Sequence, residues 1–198
     1  MTRFFTADLH FGHANIIRYC QRPFADVGEM NEALVRGWNE VVGAGDEVWV
    51  LGDVAMGQLR HSLSNVARLN GIKVLVPGNH DRCWPGHGPQ AQAWAGRYLD
   101  AGFAAITDAV ADLDVGGAAV LACHFPFEGD SHDEDRFRSH RPVDDGRPLL
   151  HGHVHTSWRQ QDRQVNVGCD VWDYRPVAED VVAELVRTAV TGAPRATG

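Results

Sequence analysis

The sequence predicts an α/β layered domain, and three observations carry that expectation. Five short apolar runs, "RFFTA" (3–7), "EVWVL" (47–51), "IKVLV" (72–76), "AAVLAC" (118–123) and "RQVNV" (163–167), each close on a glycine or a polar cluster, the pattern of buried strands. Helical periodicity separates the first three runs, which implies parallel strands with helices packed outside. The later runs lie close together, divided by turns, and are expected to pair antiparallel.

In chain order, the first secure helix is "DVGEMNEALVRGWNEVV" (26–42). Met30, Ala33, Leu34, Trp38, Val41 and Val42 recur there at helical spacing, and Asp26 with Glu29 forms a capping-box-like start. A second helix is predicted over 58–69, with Leu59, Leu63, Val66 and Leu69 on one face, and a third, "AQAWAGRYL", over 91–99. Near the end, "VAEDVVAELVRTAV" (177–190) is helical, and "TGAPRATG" (191–198) has no apolar face to bury and is expected to fray.

The chain of 198 residues suits one domain, expected over 1–190. Its 44% hydrophobic and 22% charged residues are globular usage, which excludes a disordered chain. No stretch approaches the roughly 20 apolar residues that span a bilayer, and "MTRFFTADLH" has no signal-peptide pattern. A cytoplasmic location without a membrane partner is therefore expected. Cys20, Cys83, Cys123 and Cys169 are widely spaced and read as reduced thiols. A net charge of -8 argues against gripping long nucleic-acid duplexes by phosphate neutralisation.

The 11 histidines are roughly twice ordinary usage, and they collect where ligands bind in α/β folds, just beyond the strand ends. After the first run come Asp8 and His10; after the second, Asp53; after the third, "PGNHD" with Asn79, His80 and Asp81; after the fourth, His124; after "PLL", "HGHVH". In extended chain, Asp8 and His10 point to one side, and His153 and His155 repeat that geometry. Turn chemistry favours Gly, Asn and Asp but gives no reason for histidine at four of five strand ends. The set of imidazole, carboxylate and amide without thiolate suits Mn, Fe, Zn, Ni or Co.

In order and spacing, "ADLHFGH", "LGDVAMG", "PGNHDR", "ACHFPF" and "HGHVH" resemble the motifs of the calcineurin-like metallophosphoesterase superfamily, and they span residues 8 to 155. The resemblance implies a four-layer α/β/β/α sandwich of mixed sheets flanked by helices, with a two-metal centre at the strand ends. Carried over by position, Asp8, His10 and His155 would hold the first divalent ion, Asn79, His124 and His153 the second, and Asp53 would bridge them; Mn is the favoured metal. His80 matches the family's catalytic histidine, with Asp81 expected to orient its ring. The implied reaction is in-line attack on phosphorus by a metal-bridging hydroxide, water being acidified toward a pKa of ~7 by the cations.

Other residues carry two readings each. His13 is a candidate substrate contact, and Asn15 either a contact or the cap of a helix starting near Ala14. The long polar segment 125–148 reads as an active-site loop whose Arg136, Arg138 and Arg141 reach a phosphate; alternatively they pair with Asp133, Glu134, Asp135, Asp144 and Asp145. Phe125, Phe127 and Trp84 either stack a base or belong to the core. Asp170 either orients a ligand histidine or makes a turn, and His151 matches no ligand position.

The expected activity is that of a phosphodiesterase acting on a small or terminal phosphoester, such as a nucleotide or a nucleic-acid end. The alternatives are a phosphomonoesterase, a pyrophosphate-cleaving nucleotide hydrolase, and a non-catalytic scaffold of the same fold.

Overall fold

In chain order, a computed structural model, which describes residues 1–132, 134 and 136–191, contains β1 (Arg3–Thr6), α1 (Ala14–Tyr19), α2 (Val27–Val41), β2 (Glu47–Val50), α3 (Leu59–Leu63), β3 (Ile72–Leu75), α4 (Gln90–Asp100) and β4 (Phe103–Ile106). There follow β5 (Val110–Val115), β6 (Ala118–Cys123), β7 (Leu149–His151), β8 (Gln160–Gln161), β9 (Gln164–Asn166), β10 (Val177–Ala178) and α5 (Glu179–Thr191). The tail 192–198 lies outside the described residues.

Two five-stranded sheets form the frame. The first runs β10-β1-β2-β3-β4, with β1 to β4 parallel and β10 antiparallel against β1. The second runs β5-β6-β7-β9-β8. Its outer pairs are antiparallel, as the turn spacing led one to expect, but β6, β7 and β9 are parallel neighbours. The reason is the long connection from β6 to β7, which gives the chain room to cross over instead of turning back.

Strand alternation divides the core. Phe4, Val48, Val50 and Leu75 face the helices and pack with Met30, Leu34, Trp38 and Tyr98. Phe5, Ala7, Leu51 and Val76 face the other way, meeting Val120, Ala122, Leu150 and Val165 of the second sheet together with Val182 and Val186 of α5. The outer face of the second sheet departs from the expected fourth helical layer. Leu121, Cys123 and Leu149 are covered there by Trp84 and Phe125, with Phe127 and Phe137 against them. These aromatics supply the apolar area that a helix would, at about 1.5–3 kcal/mol for each large side chain fully buried. Trp84 and Phe125 therefore belong to the core.

Local chemistry explains where the elements stop. At the start of α2, Asp26 accepts the N–H of Glu29 and Glu29 accepts that of Ala25, so the capping carboxylates act as the sequence suggested. The helix predicted over 58–69 instead ends as α3 and resumes as a 3-10 turn at Val66–Arg68. Ser62 and Ser64 donate their hydroxyls to backbone carbonyls of Met56 and His61, which competes with continuing the helix. Val177 and Ala178, predicted as helix, pair with β1 instead. All four cysteines are free thiols. Among the described residues, no helix is long and apolar enough to cross a membrane.

Candidate metal centre

The parallel strands β1, β2, β3, β6 and β7 deliver their C-terminal ends to one place. The backbone there is not extended, which corrects the expected basis for pairing Asp8 with His10 and His153 with His155. Asp8, His10, Asp53, His153 and His155 all have positive φ, between 48° and 71°. A left-handed residue costs about 1–2 kcal/mol, so five of them store on the order of 5 kcal/mol even for Asp and His, which tolerate it best. The surrounding bonds offset this strain. Asp8 N–H donates to the Gly52 carbonyl, His10 N–H to that of Asp53, and His153 N–H to Asp8 Oδ2.

Besides Cys20–His155–Asp170, two groups of ligand atoms that share Asp8 converge, Asp8–His10–His155 and Asp8–Asp53–His124, each with its atoms within 4.8 Å of one another. Asp53 Oδ2 lies between them, 3.6 Å from His10 Nε2 and 3.4 Å from His124 Nε2. His124 donates Nδ1–H to the Leu51 carbonyl at 2.8 Å, and only a donor suits a carbonyl there. Its Nε2 faces Asn79 Oδ1 at 3.1 Å and Asp53 Oδ2 at 3.4 Å. Three atoms of ligand type thus meet at one point. Asp8 Oδ1 and both ring nitrogens of His10 are also buried without a hydrogen-bond partner among the described residues. This donor set fits divalent ions.

His155 Nδ1 donates to Asp170 Oδ2 at 2.9 Å, leaving Nε2 for the site, so Asp170 orients this ring rather than merely making a turn. Behind it, Arg22 grips Asp170 through Nε at 2.7 Å and Nη2 at 2.9 Å, and also donates to the carbonyls of Asp8 and Leu9. His153 stands beside His124, with ring centroids 5.2 Å apart, but belongs to neither convergent group. Its Nε2 faces Asp130 Oδ2 at 3.2 Å, a carboxylate clamped in turn by Arg136. Asp130 and Arg22 escaped the sequence analysis because neither follows an apolar run.

His80 N–H donates to Asp53 Oδ1, and its ring, 41% exposed, stands at the mouth of the site. Asp81 does not reach that ring in the expected way. Its oxygens accept the N–H groups of Asp53, Val54 and Gly78, bracing the loops after β2 and β3. A buried carboxylate needs several donors, and three backbone amides beside it supply them.

Burial pushes the Asp8 carboxyl up to about 6 and that of Asp81 up to about 7. Burial also holds His10 well below the usual imidazole range and His153 near about 3, so both rings are neutral with lone pairs available. For Asp53, burial is outweighed by the imidazoles packed around it, led by His124, and by the His80 N–H bonded to Oδ1, so its carboxyl is held below the usual range. For His155, burial is outweighed by Asp8 and Asp170, which raise it well above the usual value.

The site opens into a cavity of about 480 Å³ lined by His10, His13, Asp53, His80, Arg136 and His155, among others. His13 lines this cavity, and it also caps α1 through its backbone position without a side-chain bond. Asn15 and Arg138 do not line this cavity; both are exposed, Asn15 within α1 and Arg138 in a 3-10 turn. Arg136 lines it but is paired with Asp130. Asp144 and Asp145 pair with Arg163 and Arg147, not with the three loop arginines; Asp133 and Asp135 lie outside the described residues. His151 is fully buried, donates Nδ1–H to the Gly152 carbonyl and packs on Trp158, away from the cavity.

Fold and site together define a two-sheet α/β protein with a candidate metal centre at its strand ends. The chain is 36% identical over 200 residues to the Gene 66 protein of Mycobacterium phage L5, covering 92% of each chain. It is 38% identical over 198 residues to the Gene 66 protein of Mycobacterium phage D29, covering 95% of this chain and 97% of that one. The protein belongs to this phage Gene 66 family. No family model matches the chain. The crystal structure of an Aquifex aeolicus protein of unknown function shares the fold, with a TM-score of 0.72, 24% identity, and coverage of 93% of this chain and 98% of that one.

Proposed function

We propose that the protein is a two-metal phosphoesterase of the calcineurin-like type, most active on phosphodiesters of a small or terminal, nucleotide-like kind. The observation that carries this reading is the convergence of His124 Nε2, Asn79 Oδ1 and Asp53 Oδ2 beside the buried, unpartnered Asp8 Oδ1 and His10 ring. Asp8, His10 and His155 would hold one divalent ion, and Asn79, His124 and His153 the other, with Asp53 between. Bound there, Mn(II) or a similar ion supplies Lewis acidity and acidifies water toward a pKa of ~7.

The chain's own residues do the remaining work. His124 and His155 are each held in one tautomer by Leu51 and Asp170. Burial lowers the His80 imidazole below its usual range, so at neutral pH the ring is uncharged with one N–H. The Asp53 carboxylate, 3.9 Å from Nε2, favours the proton at that nitrogen, from which His80 hydrogen-bonds the departing oxygen. His13 also lines the cavity, its ring centroid 5.3 Å from that of His10.

Metal analysis and turnover of bis-p-nitrophenyl phosphate against p-nitrophenyl phosphate with Mn(II) test the reading. Preferred cleavage of the diester is expected; a much faster monoester would make the protein a phosphomonoesterase, and absence of both metal and turnover would end the enzyme reading. His80→Ala is expected to keep its metal while losing activity by about 10²-fold or more, whereas Asp53→Ala loses both.

A further inference from the structure

Beside His80 lies a second cavity of about 460 Å³. Met56 and His80 line both cavities, so the two are continuous along one wall. Arg60, Arg82, Arg97 and Trp94 line the second. The Arg97 guanidinium stacks on Trp94 at 4.4 Å from the ring centroid, and that of Arg82 lies 6.0 Å from it. In a chain of net charge -8, several arginines are spent on carboxylates: Arg3 on Glu179, Arg22 on Asp170, Arg68 on Glu32, Arg163 on Asp144 and Arg175 on Glu40.

Arg60, Arg82 and Arg97 have no carboxylate partner among the described residues. Asp100 lines the adjoining groove with Arg60 and Arg97 and makes no ion pair with either. Stacking on Trp94 accounts for the placement of Arg97, but not for Arg60, which has neither ring nor carboxylate to hold it. Three uncompensated guanidinium groups sharing a wall with the candidate catalytic histidine form an anion subsite.

We propose that this groove holds a second phosphate of the substrate, one not cleaved, while the scissile phosphate sits at the metal centre. Resting on the phosphoesterase reading, this makes the substrate a molecule with at least two phosphates, either a nucleoside polyphosphate or the end of an oligonucleotide. Guanidinium groups match phosphate oxygens bidentately, and Trp94 holds Arg97 ready for that contact.

The double variant Arg60→Gln/Arg97→Gln alters exposed side chains only. In EDTA, with the metal centre empty, calorimetric titration with inorganic pyrophosphate reads the groove directly. Wild-type protein is expected to bind, and the double variant to bind about tenfold more weakly or less. Absence of wild-type binding, or equal binding by the two, overturns the proposal whatever the activity. With Mn(II), KM for the true substrate type rises about tenfold in the variant with kcat unchanged, while bis-p-nitrophenyl phosphate, lacking a second phosphate, is cleaved as before. Nucleoside diphosphate and 5′-phosphorylated dinucleotide, tested side by side, distinguish the two sources. Equal losses on all esters would also overturn the subsite. If wild type cleaves no ester, the phosphoesterase reading fails while the pyrophosphate titration still decides the groove.

Discussion

Asp170 shows how one side chain serves both the fold and the site. It orients His155 on one side and neutralises Arg22, which is buried beneath Asp8 and Leu9, on the other. Asp170→Asn leaves that guanidinium without a counter-charge, an expected loss of about 3–5 kcal/mol in urea unfolding. The same substitution loosens His155 and is expected to weaken Mn(II) binding about 10–100-fold by calorimetry. The individual residues of the candidate site were legible because each follows an apolar run. Asp170 was not decided by sequence, since an aspartate after "VNVGC" serves a turn equally well.

Among the elements, the strand-end loops carry the tightest packing. A Cβ added at Gly78 would lie 2.5 Å from Asp53 Oδ1 and 2.8 Å from the Asp53 nitrogen, forcing apart the loops after β2 and β3. Gly78→Ala is expected to cost about 1–3 kcal/mol in urea unfolding and to lower metal stoichiometry together with it. Gly96, within α4, has nothing within 4 Å of its Cβ position. There Gly→Ala is expected to stabilise by about 0.5–1 kcal/mol, read as a raised urea midpoint. The central strands and α2 were legible because both periodicity and caps marked them. The edge strand β5, "VADLDV", was missed although it alternates, because Asp112 and Asp114 fill its exposed positions and leave no apolar run.

The molecule as a whole buries uncharged imidazoles, and this couples its stability to pH. Burial lowers His151 to about 3, against 6.5 unperturbed, so the unfolded chain takes up a proton there that the native state refuses. Its contribution is complete above 6.5 and is lost as pH falls through that value toward about 3. Asp8 and Asp81, raised by burial, act with the opposite sign, because the native state holds their protons longer. In urea unfolding of metal-free protein, His151→Gln is expected to flatten the acid-side slope by up to about 1.4 kcal/mol per pH unit. An unchanged slope would show that His151 is not buried uncharged.

The order of strand ends and their polar residues was determined by sequence alone, because buried strands need apolar runs and turn chemistry gives no reason for histidines immediately after them. Asp8, His10, Asp53, Asn79, His80, His124, His153 and His155 could be named on that basis. Tertiary structure alone decided how they meet. The left-handed turns at five of these residues, the buried Arg22–Asp170 support and the partnering of His153 with Asp130 depend on segments far apart in the chain. It likewise separated His151, fully buried against Trp158, from the two histidines of its own motif that face the site. Strand parity could not make that distinction, because parity holds only where the backbone is extended, and at His153 and His155 it is not.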